Sequence, residues 1–170
     1  MKRIHKCLAI AIFQLLYIPP LLAADTSSQD EQEIRALAKE LISAYEKKDV
    51  AKIMSFYVPN ETFVVFDLTP PPQFVGHKTE WKNYEDFYSA FPGEVDIDVA
   101  QFAVTVDGTM AFSHEFDTWR VTDMDGKQLS YTGRETYVYQ KIQGRWLIVH
   151  EHCSVPVDIV TGQALLQFDP

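Results

Sequence analysis

Apolar positions along the chain follow a helical period in its first half and a strand period in its second. Ile34, Leu37, Ala38, Leu41, Ile42 and Tyr45 form the single stripe of an amphipathic helix, with Glu33, Lys39, Glu40 and Lys47 on its solvated side. Ser28 followed by Glu31 has the form of a capping box at its start. Asp49 is placed to cap a short second helix through Val50, Ile53, Met54 and Tyr57, which Pro59 helps to end. Residues 62–68 are rich in β-branched and aromatic side chains and predict a strand, followed by the stiff corner Thr69-Pro70-Pro71-Pro72. After Gly76 the helical period returns, with Trp81, Tyr84, Phe87 or Tyr88, and Phe91 on one stripe until Pro92-Gly93 stops it. From Glu94 onward the pattern predicts strands near 94–106, 110–122, 129–141 and 145–155. Asp107-Gly108, Asp125-Gly126 and Gln143-Gly144 separate them as hairpin turns. Strands this long must twist and curl. The expected fold is therefore α+β, with N-terminal helices filling the concave side of a strongly curved antiparallel sheet.

Composition adds a leader to this picture. Lys2, Arg3, His5 and Lys6 precede an apolar run over 7–22, and Ala23-Ala24 offers small residues for cleavage, so residues 1–24 read as a secretory signal peptide. The run is short for a membrane span and is broken by Pro19-Pro20. The expectation is a single domain over 25–170, soluble after cleavage and periplasmic or secreted. Its 46% hydrophobic content gives a chain of 170 residues enough apolar material for one real core. The formal charge is −9 and becomes −12 once Lys2, Arg3 and Lys6 are removed with the leader. An acidic field of this kind disfavours nucleic acid and anionic membrane surfaces as partners. Cys153 alone remains after cleavage, so no disulfide within the chain is available, and the thiol reads as a small buried apolar group.

Candidate chemistry concentrates in the last strand. Strict alternation puts Trp146, Ile148, His150, His152 and Ser154 on one face, and Leu147, Val149, Glu151 and Cys153 on the other. The first face passes from apolar to polar, as the wall of a deep pocket does. A wet sheet edge, with both imidazoles hydrogen-bonded to neighbours, fits the same pattern. Asp67 ends the first strand, where Phe66, Phe74 and Trp81 would desolvate it and suit it to proton abstraction. The rings of the third helix, Trp81, Tyr84 and Tyr88 among them, exceed the needs of a small core and are candidates for a cavity lining. His150 and His152 with His114 or Asp67 have the composition of a metal set, yet the pair serves equally as pocket wall, and neither metal nor cofactor is expected.

The order helix, helix, strand, helix and four-stranded meander resembles the cone-shaped fold of nuclear transport factor 2, ketosteroid isomerase, scytalone dehydratase and the SnoaL-type polyketide cyclases. The resemblance spans all of the mature chain. Glu135-Thr136 and the run Gly144-Arg145-Trp146-Leu147-Ile148-Val149-His150-Glu151-His152-Cys153-Ser154 resemble the association (hub) domain of calcium/calmodulin-dependent protein kinase II and its stand-alone bacterial relatives. That branch implies binding of small carboxylates through pocket arginines, and Tyr137 and Cys153 stand at two of the matching positions. Arg134 or Arg120 would substitute only by pointing inward. The isomerase branch implies a carboxylate base at the end of the first strand, matched by Asp67, and an oxyanion tyrosine, for which Tyr45 is the candidate. Dehydratase-like chemistry implies histidine, aspartate and tyrosine, here His150, His152, Asp67 and Tyr45.

These readings combine into an exported protein that binds a small, largely apolar organic molecule. The expected acid–base groups are Asp67, His150 and His152, and the expected lining is Tyr45, Trp81, Tyr84, Tyr88, Arg134, Thr136 and Ser154. The alternative is a non-catalytic association module whose convex sheet face builds a homodimer or a larger ring.

Overall fold

The computed structural model describes residues 28–168 and Pro170, so the predicted signal peptide lies outside the described residues. Helix α1 (Gln29–Glu46) opens at Ser28, whose hydroxyl accepts the Glu31 amide at 3.1 Å. It buries Ile34, Leu41, Ala44 and Tyr45, the inner part of the predicted stripe. In α2 (Val50–Met54) the Asp49 carboxylate accepts the Lys52 amide at 2.9 Å. The chain then forms β1 (Val64–Phe66), the proline corner, β2 (Phe74–Val75) and α3 (His77–Ala90). The meander follows as β3 (Val95–Asp107), β4 (Met110–Thr122), β5 (Gln128–Ile142) and β6 (Arg145–Ser154). The three predicted hairpins are present. Gln143 and Gly144 both take positive φ, 50° and 78°, as a two-residue turn matched to strand twist requires.

The six strands lie in the order β2-β1-β6-β5-β4-β3. The meander is antiparallel throughout, and β1 joins it parallel to β6, with Val64 opposite His150 and Phe66 opposite His152. Buried side chains of α1, α2 and the segment leading to β1 meet the concave face at Tyr45, Ile53, Tyr57, Phe63, Trp119, Tyr139 and Ile148. Helices on the concave side of a curled sheet are the arrangement that the hydrophobic pattern predicts.

Two irregularities curl the sheet. In β3 the register with β4 slips between Ala100 and Ala103, where Gln101 has φ 55°. In β6 the partner of Tyr139 is Ile148 and the partner of Val138 is His150, so Val149 is an extra residue, a β-bulge. Its consequence is a correction to the alternation expected for this strand. Trp146 and Ile148 point inward before the bulge, and Glu151 and Cys153 point inward after it, all four buried. His150 and His152 are thereby turned to the outer face.

Beyond β6 the tail doubles back. Val157 bridges to Ala164, the Leu165 amide donates to Pro156 O at 2.8 Å, and the Thr132 amide donates to Leu166 O at 2.8 Å. The tail thus occupies the edge of β5 that β6 leaves free after the pair Arg134 and Ser154.

Candidate functional site

The curl leaves a cavity of about 440 Å³ between the helices and the concave face. Tyr45 of α1 and Tyr84, Phe87 and Phe91 on or just after α3 form one side. Trp119 of β4, with Tyr131, Glu135 and Tyr137 of β5, forms the floor. Val65 and Asp67 stand at the end of β1, Glu151 and Cys153 come from β6, and Ala164 and Leu166 of the tail close the remaining side. Most of this wall is apolar or aromatic, and its polar groups are hydroxyls, carboxyls, the Asn83 amide and the Cys153 thiol. None of the lining side chains is Lys, Arg or His.

A chain of hydrogen bonds runs across one wall. The Tyr57 hydroxyl donates to Glu151 Oε2 at 2.7 Å, Tyr45 and Tyr57 hydroxyls lie 2.7 Å apart, Tyr45 and Tyr84 hydroxyls 3.0 Å apart, and Tyr57 and Tyr84 hydroxyls 3.3 Å apart. Each hydroxyl has one proton to give. With Tyr57 giving to Glu151, Tyr45 gives to Tyr57 and Tyr84 to Tyr45, so the three phenolic protons are all used within the chain. Burial holds the Glu151 carboxyl well above the usual carboxylate range, and the nearby charge of Glu80 pushes it the same way. Glu151 is thus the acidic end of the tyrosine chain on the cavity wall, shifted by its burial toward the protonated form.

A second acidic group comes from β1 and α3. Asp67 accepts the Leu68 amide at 2.6 Å and the Thr69 hydroxyl at 3.2 Å, and Asn83 Nδ2 lies 3.4 Å from its Oδ2. The same Asn83 amide is 3.3 Å from Glu80 Oε1. Glu80 is 2% exposed, burial raises its pKa to about 7, and its Oε2 has no partner. A carboxyl near half-protonation at neutral pH is suited to take and return a proton.

Glu135 completes the acidic set. It accepts a hydrogen bond from the Cys153 thiol, its Oε2 has no partner, and burial raises its pKa strongly, with the Glu151 and Asp117 charges adding to the effect. Gly133 makes the space for it, because a Cβ there would sit 3.1 Å from both Glu135 Oε1 and Cys153 Sγ. Behind this floor Asp117 is fully buried with neither carboxyl oxygen partnered, and burial raises both it and its neighbour Glu115.

Of the residues singled out from sequence, Asp67, Tyr45 and Tyr84 line the cavity. Tyr88 sits behind them, donating to Tyr45 O at 3.0 Å. Trp81 points away and donates to Glu85 at 2.9 Å, so it does not desolvate Asp67. His150 donates from Nδ1 to Val64 O at 2.8 Å, and the Phe66 ring meets His150 and His152 edge-on at 5.2 and 5.6 Å. Both histidines thus lie outside the cavity, on the outer face of a strand that is paired on both sides and not at a sheet edge. Arg134, exposed, and the half-buried Thr136 and Ser154 share that outer face, paired as Arg134 with Ser154 and Thr136 with His152. The matches to the pocket arginines, Tyr137 and Cys153, do face the cavity, and Arg120 is held outside by Asp96 and Asp98 at 2.7 Å. Among the described residues no three His, Cys, Asp or Glu side chains are arranged to hold a metal ion.

Sequence reasoning missed Glu80, Glu135 and Glu151 as cavity groups. A signal was present in β4, where Ala111, Ser113, Glu115, Asp117, Trp119 and Val121 alternate inward without interruption and carry two acids into the core. Acids on the buried face of a strand mark an interior that is not purely packing.

The family profile of the SnoaL-like domain matches residues 34–158. Among solved structures, an NTF2-like protein of unknown function from Pseudomonas putida KT2440 is similar with a TM-score of 0.75 and 28% identity, covering 85% of this chain and 99% of that one. A Xanthomonas campestris protein provisionally named a calcium/calmodulin dependent protein kinase II association domain is similar with a TM-score of 0.65 and 23% identity, over 78% and 91% of the two chains. A Streptomyces avermitilis protein provisionally named a dehydratase of the NTF2-like family gives a TM-score of 0.65 at 14% identity, over 74% and 95%. The last two likenesses bear on fold alone. No curated protein matches the chain.

Proposed function

Because the chain belongs to the SnoaL-like family, whose fold is suited to holding small molecules, we propose that it is an exported protein that binds a small, largely apolar organic molecule in this cavity and transforms it by acid–base chemistry, as a lyase or isomerase. The observation that carries this reading is the convergence of two kinds of proton-handling group on one apolar space. Asp67 and Glu80 stand at one side, linked through Asn83, and Glu151, pushed by burial toward its protonated form, ends the tyrosine chain at another. In this scheme the Asp67 and Glu80 pair removes a proton from the bound molecule. Glu151 donates to the oxygen on which negative charge develops, stabilising it in a site shielded from water. The acid–base work first expected of His150 and His152 passes to Glu80 and Glu151, and Asp67 keeps its expected role.

Native mass spectrometry of the mature chain from its own host tests the reading. The wild type is expected to retain a small organic molecule. Glu80→Gln, which cannot take up the proton, should retain the unreacted partner, differing by one water for a lyase and equal in mass but different in its NMR spectrum for an isomerase. A chain that is empty in both forms and assembled into a dimer or ring would favour an association module instead. Phe66, Met110 and Phe112, each about 40% exposed on the outer face, are the observation in favour of that second reading.

A further inference from the structure

The carboxyl groups of the cavity lack the partner that buried acids normally have. Glu135 is 4% exposed and Glu80 2%, both face the cavity, and on each one oxygen is hydrogen-bonded while Oε2 is not. A buried acceptor with no donor is costly, and native structures leave few of them. Within the protein no relief is at hand, since the lining carries Asp67, Glu80, Glu135 and Glu151 against no Lys, Arg or His. Burial and the neighbouring acids together push the Glu135 carboxyl upward, with no positive charge in the lining to oppose them. The same lining carries the rings of Tyr45, Tyr84, Trp119, Tyr131 and Tyr137, and the negative π-surface of such rings attracts cations and repels anions.

We propose that the molecule this cavity takes is an organic cation, an amine-bearing compound with an apolar or aromatic body, whose ammonium group pairs with the Glu135 carboxyl while the body packs against the rings of Tyr137 and Trp119. The inference rests on the reading of the cavity as a small-molecule site and adds the charge of what enters it. One class is excluded by the same groups. Small carboxylates, the ligands that the hub-domain resemblance implies, would meet acids here, because Tyr137 and Cys153 stand where that branch has arginines.

Isothermal titration calorimetry on the mature chain at neutral pH tests this with three probes of similar shape: 2-phenylethylammonium, 2-phenylethanol and 3-phenylpropionate. The ammonium is expected to bind about tenfold or more tighter than the alcohol, and the carboxylate weakest of the three. Glu135→Gln keeps the side-chain shape but cannot ionise, so it should bring the ammonium down to the affinity of the alcohol and leave the alcohol unchanged. Glu80→Gln serves as the second variant should Glu135→Gln fail to fold, with a partial loss expected for the ammonium alone. If the alcohol or the carboxylate binds as tightly as the ammonium, the cationic ligand is ruled out and the cavity remains a small-molecule site. If none of the three binds, the inference and the reading beneath it both fall.

Discussion

The Tyr57 hydroxyl meets Tyr45, Glu151 and Tyr84 at 2.7, 2.7 and 3.3 Å, whereas Tyr84 meets Tyr45 and Tyr57 alone, at 3.0 and 3.3 Å. Their worth to the fold should differ accordingly. Tyr57→Phe breaks the two bonds of 2.7 Å and strips the buried Glu151 of its donor, so it is expected to cost about 2 to 4 kcal/mol. Tyr84→Phe loses only the longer contacts and should cost about 1 kcal/mol. Urea unfolding of the two variants checks the order, and a costlier Tyr84→Phe would contradict it. At Gly133 the argument is steric. Gly133→Ala pushes a methyl against Glu135 Oε1 and Cys153 Sγ at 3.1 Å, and overpacking of this kind costs about 1 to 3 kcal/mol. Pairing it with Cys153→Ala should recover part of that loss in the same unfolding assay.

At the scale of the element, β6 owes its chemistry to one extra residue. With Val149 inserted, Cys153 faces the interior and His152 the solvent. Thiol labelling of the folded protein reads this directly. Cys153 is expected to stay unmodified until the chain unfolds, while His152→Cys in a Cys153→Ser background should react at once; equal protection would mean that the strand has the regular alternation instead. The bulge also explains what the sequence could and could not disclose. Helix α1 was legible because its stripe and its Ser28 cap are local, and the hairpins were legible because Gly108, Gly126 and Gly144 mark their turns. Val149 carries no such mark, being an ordinary strand former at a place where the curl of the sheet requires an extra residue. Every side chain after it was therefore assigned to the wrong face. The parallel pairing of β1 with β6, joining residues as far apart as Val64 and His150, likewise leaves no local trace. The cavity acids followed suit: the place of Asp67 was legible because it follows β1 whatever its pairing, and that of Glu151 was hidden because its side depends on the bulge.

For the molecule as a whole, the enclosed acids make stability depend on pH in an unusual direction. A carboxyl held above its unfolded pKa binds more protons in the folded chain, so stability falls as pH rises from the unfolded value through the folded one. For Glu80 that window runs from 4.5 to about 7, which corresponds to about 3 kcal/mol by itself. Glu115, Asp117, Glu135 and Glu151 shift in the same direction. The melting temperature of the ligand-free chain should thus be higher near pH 5 than near pH 8, and a flat or inverted profile in calorimetry would show that these acids are ionised in the folded state. The negative formal charge of −9 acts in the same sense, since acidification relieves self-repulsion. The tail closes the cavity with Ala164 and Leu166 yet adds no residue to the buried core beneath the helices. The wall that limits what fits inside is therefore separable from the part that keeps the chain folded. Substitutions or changes of length between Pro156 and Leu166 can redraw the range of accepted molecules at little cost to the scaffold, which makes this short return segment the natural place to retune selectivity.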